Sequence, residues 1–440
     1  MALACEEHHT FARVESLKGY TETVSVQGGP IGRSRGRKAA LARRRLEEGR
    51  MVTVQMPKAR RPDADKLRFG HLFPVGSANN LLSNYAAQAA APYTRAMLLE
   101  EARACEEVGF DFLFLADGWT GHNQAAERAG FRSPSFVAPL LGMALATVTE
   151  HIGIITTIDT TSHRPAHAAR IGATLDAYSD GRWGWNIVTG YQPPEAALFG
   201  HPPVAHDERY DMATEFVEAV LALWTEDDVV EFAGRYHTVR GRIKAPRPLQ
   251  DPYPFLLNAG GSPAGTALSA RYCDYQVILA RAADDVIKAA QRLASLAGGY
   301  GRDPRAARVV PFALAMVRDG DGEAEEEYAR CLATLDEESV LGIAGDIYGS
   351  VESAREMFNS VGQDEAMRRI GGGQAMLPLI GRPADVAETL ITLHRETDAA
   401  AVLVEFVPWG PARVRDFAKV FDALREAGVW DPPAQHEWSW

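Results

Sequence analysis

Three polar residues lie in or directly after apolar segments of the chain. Asp117 follows FDFLFLA, Thr157 lies in IGIITTID, and Asn186 lies in WGWNIVTG. Buried groups of these types need hydrogen-bond partners, so their positions indicate a polar site where neighbouring strands end. Each also has a structural interpretation: Asp117 as a helix cap, Thr157 as a β-branched strand residue, and Asn186 as a hydrogen-bonded core residue.

A glycine-rich turn, AGGSPAG at residues 259–265, has the features of an anion-binding segment. Ser262 is placed to cap the helix that follows, and Pro263 suits the first position of that helix. Free N–H groups and the helix dipole at such an N-terminus favour a phosphate group. The turn is neither a GxGxxG nor a Walker sequence, so a simple well-capped helix stays the alternative.

Other chemistries find little support in the sequence. His163 and His167 have the i,i+4 spacing of two metal ligands, but Pro165 lies between them and no carboxylate is placed to join them. There is no GxSxG motif for a serine hydrolase. The four cysteines form no CxxC pair, which excludes a zinc or disulfide scaffold and suits a reducing cytoplasm. We therefore predict that the protein binds no metal. A metal-dependent barrel hydrolase is a rival interpretation, which a stoichiometric metal in the purified protein would favour.

The elements that position these residues alternate regularly from residue 67 onward. Short apolar runs followed by amphipathic segments predict eight strand–helix pairs. The strands are predicted at residues 69–73, 110–115, 152–156, 183–188, 254–259, 275–279, 309–317 and 401–406. This alternation predicts an α/β fold, a (β/α)8 TIM barrel, with the active site at the C-terminal ends of its strands.

Two segments interrupt the alternation. Residues 225–252, after strand 4, contain FAGRYHTVRGR and are expected to form a β-hairpin. Residues 319–382, after strand 7, are far longer than a normal strand–helix connection and are expected to form a lid-like insertion. Gly371–Gly373 would permit hinge motion there, although a passive insertion packed on the barrel rim is the alternative.

The charge of −12 on the 440 residues is unevenly distributed. Residues 1–66 contain 14 Lys/Arg and 8 Asp/Glu, a net of +6, so the remainder carries −12 − 6 = −18. We expect residues 1–66 to form a basic, disordered extension or a segment upstream of a start at Met51 or Met56, with a basic binding arm as the alternative. Residues 67–430 are expected to form the barrel and residues 431–440 a C-terminal tail. The acidic body argues against nucleic acid, and no apolar run is long enough to span a membrane.

Four segments together resemble a known family: GFDFLFLAD (109–117), IGIITTIDTTSHRPAHAARIGATLDAYSDGRWGWNIVTGYQ (152–192), HDERYDMATEFVEAVLALW (206–224) and NAGGSPAG (258–265). The chain resembles the bacterial luciferase-like, flavin-dependent monooxygenases of the two-component type. It is most similar to the branch that contains the pyrimidine and dibenzothiophene sulfone monooxygenases. The resemblance covers residues 67–430, and the segment ATLDAYSDGRWGWNIVTG is its most specific part.

The resemblance implies an enzyme that uses reduced FMN (FMNH2) and O2, with the FMNH2 supplied by a separate NAD(P)H-dependent flavin reductase. A flavin peroxide, of the N5 or the C4a type, would oxygenate a small organic substrate such as a heterocycle or a sulfone. The family also implies a homodimer or homotetramer. Two alternatives stay open: an F420-dependent oxidoreductase of the same superfamily, and a flavin-binding protein without turnover.

The family's motif positions assign functional residues in this chain. The flavin-binding group comprises Asp117, Asn186, Val188, Thr189, Glu195, Arg209, Tyr210, Gly261 and Ser262. The catalytic group that positions O2 comprises Phe114, Thr157 and Asn186, with Phe114 standing where the family has Leu. From their aromatic character we expect Phe73, Trp119 and Tyr191 to line the substrate pocket, although ordinary packing at the barrel mouth would also explain them.

Overall fold

The computed structural model describes residues 66–76, 80–121, 124–190, 193–348 and 358–436. Almost all of the expected N-terminal extension, the four last residues of the expected tail, and Tyr191 lie outside these ranges. Residues 431–436, expected to belong to the tail, include the one-turn 3-10 helix Pro433–His436. No helix within the described ranges is long and apolar enough to cross a membrane.

Eight parallel strands close into a barrel, which confirms the predicted (β/α)8 architecture. The barrel order is β1-β2-β3-β4-β7-β8-β9-β11, and β11 pairs with β1 to close the circle. The strands are β1 Arg68–Leu72, β2 Phe112–Leu115, β3 Gly153–Asp159, β4 Trp183–Val188, β5 Val230–Ala233, β6 Thr238–Gly241, β7 Phe255–Asn258, β8 Tyr275–Leu279, β9 Arg308–Val317, β10 Leu377–Gly381 and β11 Ala401–Phe406.

Helices follow each barrel strand and cover the outside of the barrel. They are α1 Asn84–Ala89, α2 Arg95–Val108, α3 Gln124–Ala129, α4 Ala138–Ala146, α5 Pro165–Tyr178, α6 Pro193–Leu198, α7 His206–Thr225, α8 Pro263–Tyr272, α9 Ala283–Gly299, α10 Glu323–Leu332, α11 Glu337–Tyr348, α12 Gln363–Ile370, α13 Pro383–Glu396, α14 Pro411–Asp416 and α15 Ala418–Glu426.

Alternate residues of each strand face opposite sides of the barrel wall. The interior is filled by large apolar side chains, among them Leu72, Phe112, Phe114, Ile155 and Leu257. The residues between them pack outward against the helices, which explains why the strands are apolar throughout.

The hairpin predicted after strand 4 is confirmed. Strands β5 and β6 pair antiparallel, with Val230 opposite Gly241 and Ala233 opposite Thr238. The backbone N–H groups of Arg235, Tyr236 and His237 donate to the Glu215 carboxylate on α7, at 2.8, 2.7 and 3.1 Å. The hairpin is thus fixed to the outside of the barrel at its turn.

The long insertion after β9 contains a strand that the sequence did not predict. Strand β10, LPLIG, pairs in parallel with Ala313–Val317, the second half of β9. Strand β8 pairs only with the first half, Arg308–Phe312, so the ten-residue β9 leaves an edge free for β10. The insertion therefore contributes to the barrel wall.

The three glycines expected to act as a hinge are buried. The amide of Leu82 donates to the Gly371 carbonyl at 2.7 Å, and the Tyr328 hydroxyl donates to the Gly372 carbonyl at 2.7 Å. An added Cβ at Gly372 would approach the Arg368 carbonyl oxygen to 2.7 Å. These contacts favour a close-packed crossing of two backbone segments, so the passive alternative fits this part of the insertion better than a hinge.

The close packing of the barrel interior can be tested at Gly70 on β1. A Cβ at Gly70 would overlap the ring of Phe112, which is fully buried beside it. We expect Gly70→Ala to destabilise the protein by about 1–3 kcal/mol, the usual cost of overpacking a core. The measurement is the apparent Tm of purified protein.

The matched variant combines Gly70→Ala with Phe112→Leu, which removes the overlapping ring. The double variant should lose less stability than the sum of the two single variants, because the sites are in contact. Additive losses would show that the ring moves aside freely.

Candidate active site

A hydrogen-bonded pair lies on the inner face of two neighbouring strands. Thr157 on β3 is the register partner of Asn186 on β4. The Thr157 hydroxyl donates to the Leu115 carbonyl at 2.8 Å and accepts from Asn186 Nδ2 at 2.8 Å. Asn186 is 3% exposed, and its Oδ1 has no hydrogen-bond partner among the described residues. A buried acceptor left unpaired is costly, so it indicates a place where a ligand supplies the missing donor.

Phe114 lies beside this pair on the inner face of β2. It is buried with Leu72, Ile155 and Leu257 in the interior cluster. Its register partner Ile155 is two residues before Thr157, which puts the ring next to the polar pair along the barrel axis. The polar pair therefore has an apolar floor that excludes water from below.

Asp117, just beyond β2, acts as a helix cap. Its Oδ2 accepts from the amide of Ala138, the first residue of α4, at 2.6 Å, and its Oδ1 accepts from Gly118 at 2.9 Å. Burial raises the pKa of Asp117, and the nearby Asp159 carboxylate raises it further. The structural interpretation of Asp117 is thus supported, while its contact with a flavin stays a prediction.

Asp159, at the end of β3, organises the mouth of the barrel and was not assigned a role from the sequence. Its Oδ1 accepts from the amides of Thr161 and Ser162 at 3.0 and 2.6 Å, and its Oδ2 accepts from the Ser162 hydroxyl. Burial alone would raise the pKa of Asp159, but hydrogen bonds from His163, Ser162 and Trp119 hold it well below its usual value. The Asp-Thr-Thr-Ser order, which is typical of an Asx turn, was the available signal.

Trp119 and Glu195 meet across the barrel mouth. The backbone N–H of Trp119 donates to Glu195 Oε1 at 2.9 Å, and its indole Nε1 donates to Asp159 Oδ2 at 3.0 Å. Burial raises the pKa of Glu195, as do the carboxylates of Asp159 and Asp117. Two residues far apart in the sequence, each predicted to belong to the site, are therefore brought together.

The glycine-rich turn has the predicted cap. Ser262 Oγ accepts from the amide of Gly265 at 3.1 Å, and Pro263 begins α8. The first amides of a helix have no intrahelical partner, so those of Ser262 and Ala264 are directed away from α8. An added Cβ at Gly265 would meet the Gly260 carbonyl oxygen at 2.6 Å, so Gly265 is needed for the backbone to fold this tightly.

Two buried amides that the sequence analysis did not single out hold this turn in place. Asn258 Oδ1 accepts from the amide of Gly260 at 2.8 Å, and its Nδ2 donates to the Ile187 carbonyl at 2.6 Å. Gln276 Nε2 donates to the Gly260 carbonyl at 2.9 Å. Asn258 stands two residues before Gly260, the spacing of an Asx turn, which was the available signal. Gln276 lies in a separate apolar strand, so no local signal connects it with the turn.

Tyr210, near the start of α7, lies against the same turn, and Arg209 precedes it on that helix. A Cβ at Gly260 would overlap the Tyr210 hydroxyl, and a Cβ at Gly265 would meet it at 2.9 Å. Arg209 is half-buried, and its Nη1 donates to the Val204 carbonyl at 2.8 Å. Its Nε is buried without a partner in the described part of the chain, and burial lowers the pKa of the guanidinium. A buried cationic donor without a described partner suits an anion.

The remaining predicted residues have mixed positions. Thr189 is buried and Val188 is half-buried at the end of β4, where Val188 is the register partner of Asp159. Gly261 is exposed in the turn. Phe73 is 1% exposed and packs in the core between the barrel and its helices, with Leu98 and Phe417. It faces away from the barrel interior, so the prediction that it lines the substrate pocket is wrong.

A further buried acid, Glu405, was also missed. It lies on the inner face of β11, across the barrel from β3 and β4. Its two oxygens accept from the backbone and side-chain nitrogens of Asn80 at 2.9 and 2.8 Å, and Arg132 in turn donates to Asn80 Oδ1. Burial raises the pKa of Glu405. Because both oxygens are satisfied, this group ties the loop after β1 to the barrel.

Comparison with known proteins identifies the family. The luciferase-like monooxygenase family matches residues 68–399. The chain belongs to this family, and it is therefore an enzyme of the flavin-dependent monooxygenase class, as the motifs predicted. Within the described ranges, no group of three or more His, Cys, Asp or Glu residues is arranged to hold a metal ion.

Individual relatives cover most of the chain. Nitrilotriacetate monooxygenase component A of Aminobacter aminovorans is 27% identical over 389 residues, which span 75% of this chain and 85% of that protein. Pyrimidine monooxygenase of Methylobacterium radiotolerans is 30% identical over 372 residues, which span 82% of this chain and 90% of that protein. The crystal structure of riboflavin lyase with modified FMN and riboflavin aligns with a TM-score of 0.75 at 24% identity, over 83% of this chain and 93% of that one. At that identity the structural similarity shows the fold.

Proposed function

We propose that this protein is the oxygenase component of a two-component system that uses reduced FMN and O2 to oxygenate a small organic molecule. The observation that carries the proposal is the Asn186 Oδ1, which has no partner among the described residues and is buried at the C-terminal end of the barrel beside Thr157 and Phe114. The family membership supports the use of a flavin, and two relatives are named as monooxygenases of small nitrogen compounds.

The residues present fit FMN. Its phosphate suits the first amides of α8, which lack intrahelical partners, and the buried Nε of Arg209, because both supply donors and positive charge. We assign Gly261, Ser262, Arg209 and Tyr210 to the phosphate end. Val188 and Thr189 are assigned to the ribityl chain. Asp117, Asn186 and Glu195 are assigned to the flavin ring.

When bound, reduced FMN supplies the electrons that activate O2 for transfer of one oxygen atom to the substrate. The chain's own residues orient the bound ligand and shield it from water. The Asn186 amide, fixed by Thr157, offers an acceptor to a ligand N–H at the inner end of the site. Phe114 and Ile155 exclude water beneath it, which limits the loss of reduced flavin and oxygen to unproductive reactions.

Two assays test the proposal. Purified protein should bind oxidised or reduced FMN at micromolar concentration, measured by fluorescence titration under anaerobic conditions for the reduced form. With a flavin reductase, NADH and O2, it should consume oxygen faster when a substrate is added than the reduced flavin does alone. Uracil, dibenzothiophene sulfone and nitrilotriacetate are suitable first candidates.

The outcomes separate the alternatives. No binding of FMN in either redox state would exclude the proposal. Tighter binding of reduced F420 than of reduced FMN would favour the F420-dependent oxidoreductase. Binding of FMN without any substrate-dependent oxygen uptake across a broad panel would favour a flavin-binding protein.

Three further expectations belong with this proposal. We expect a separate NAD(P)H-dependent reductase to supply the reduced FMN, as membership of the two-component type of this family implies. Light scattering should give the mass of a homodimer or homotetramer. A reducing cytoplasm suits the three buried thiols of Cys105, Cys273 and Cys331.

A further inference from the structure

Trp119 is a large aromatic side chain held at the barrel mouth while 38% exposed. Exposed tryptophans are usually mobile or pack loosely, but this one is fixed at two points. Its indole Nε1 donates to Asp159 Oδ2 at 3.0 Å, and its backbone N–H donates to Glu195 Oε1 at 2.9 Å. Asp159 ends β3 and Glu195 lies on α6 after β4, so the ring is tied to the end of β3 and the backbone of Trp119 is tied to the helix that follows β4.

Other rings hold the indole in orientation. Phe199 packs edge-on, with ring centroids 5.3 Å apart and an interplanar angle of 82°. His163 lies at 5.9 Å and 43°. His163 is itself fixed to Asp159 Oδ2 at 3.2 Å. An aromatic ring that is held rigidly while still exposed is a ready stacking surface, because little side-chain entropy is lost when a ligand binds.

The charge around the ring is predominantly negative. Asp117, Asp159 and Glu195 lie close enough for each to affect the ionisation of another, and of the described basic side chains His163 contacts Asp159 directly. Carboxylates packed this closely repel an anionic ligand in a site of low dielectric constant.

We propose that Trp119 is a specificity-determining residue, and that Trp119 and the three carboxylates select a flat aromatic substrate without net negative charge. Asp159 is a positioning residue that acts through the indole. The inference rests on the proposed function, since it takes the site at the ends of β3 and β4 as the place of reaction. It also distinguishes this chain from its relative named for nitrilotriacetate, a polycarboxylate.

The test uses three probes on the FMN-loaded protein: a naphthamide, the corresponding naphthoate, and the saturated decalin carboxamide. The first two differ in charge, and the first and third differ in flatness. Binding is measured by calorimetry. We expect the naphthamide to bind on the order of 10-fold more tightly than the decalin compound, the range that stacking on one aromatic residue gives. It should also bind more tightly than the naphthoate, which the carboxylates repel.

Variants then assign the effect. Trp119→Ala should weaken naphthamide binding on the order of 10-fold and leave the decalin compound nearly unchanged, whereas Trp119→Phe should retain most of the affinity. Glu195→Gln and Asp159→Asn should reduce the ratio of the naphthamide affinity to the naphthoate affinity, because each removes a negative charge. Asp398→Asn, at the opposite end of the barrel, also removes one negative charge and should leave this affinity ratio unchanged.

Each contrary result is informative. Equal affinity for the naphthamide and the naphthoate, an unchanged naphthamide affinity in Trp119→Ala, or no binding of the naphthamide would each overturn the inference. FMN affinity is measured on every variant. If the wild-type protein binds FMN and any of these contrary results is found, only the specificity inference is excluded. If the wild-type protein does not bind FMN, the proposed function itself is excluded.

Discussion

Replacing Asn186 with leucine is expected to slow substrate oxygenation strongly while leaving the protein as stable as before, or more stable. The buried Oδ1 lacks a partner among the described residues, and an unpaired buried acceptor costs about 1–3 kcal/mol. Leucine removes that cost, and Thr157 keeps its hydrogen bond to the Leu115 carbonyl. Substrate-dependent oxygen uptake should fall on the order of 100-fold, as when a preorganised polar group is removed from an active site. Apparent Tm of the flavin-free protein is the second measurement.

Asn258→Leu is the matched control, because Asn258 is a buried asparagine on the next strand whose amide is satisfied. Its Oδ1 accepts from Gly260 and Ser269, and its Nδ2 donates to Ile187. Its loss should lower stability by a few kcal/mol, since several buried groups lose partners. If Asn186→Leu were destabilising to the same degree, Asn186 would be a structural residue and the main support for the proposed site would be lost.

Arg209→Ala is expected to weaken FMN binding by about 10- to 100-fold while hardly changing the binding of riboflavin. A hydrogen bond to a charged group contributes about 1.5–3 kcal/mol, and each 1.4 kcal/mol is a tenfold change in affinity. Riboflavin has the same ring and ribityl chain but no phosphate. A selective loss of FMN affinity, measured by fluorescence titration, would therefore assign Arg209 to the phosphate.

Arg235→Ala controls for the loss of one positive charge in the same region. Arg235 lies at the turn of the β5–β6 hairpin, where it pairs at 3.7 Å with Glu208 on α7, and it is well exposed. Its removal should change FMN affinity by less than about twofold, because exposed charges are screened. Equal losses of FMN and riboflavin in Arg209→Ala would instead indicate that the start of α7 has been disturbed.

The barrel could be predicted because its strands are short, apolar and separated by amphipathic helices. β10 was missed for two physical reasons. Its sequence, LPLIG, has a proline and a glycine in five residues, and its partner is the free upper half of β9, a tertiary feature that local propensity does not encode. The hairpin at β5 and β6 was found because its turn residues lie between alternating segments.

The site was predicted best where one residue type serves one local purpose. The cap at Ser262 and the polar pair Thr157 and Asn186 follow from strand ends and turn chemistry alone. Asp159 and Gln276 make contacts with residues from other segments of the chain. Their importance to the site could therefore not be predicted from the local sequence. Phe73 was misassigned although strand alternation puts it on the same face as Phe69, which packs against the outer helices.

The shared edge of β9 has a practical consequence for anyone who exchanges the long insertion between related enzymes. Residues 377–381 hydrogen-bond to Ala313–Val317, the C-terminal half of β9. The boundaries of an exchanged segment should therefore lie within the strands of the barrel wall and not at the ends of the loop. A graft that carries only α10–α12 would leave Ala313–Val317 as an open strand edge, which is prone to aggregation. A successful exchange would move β10 and the last five residues of β9 together.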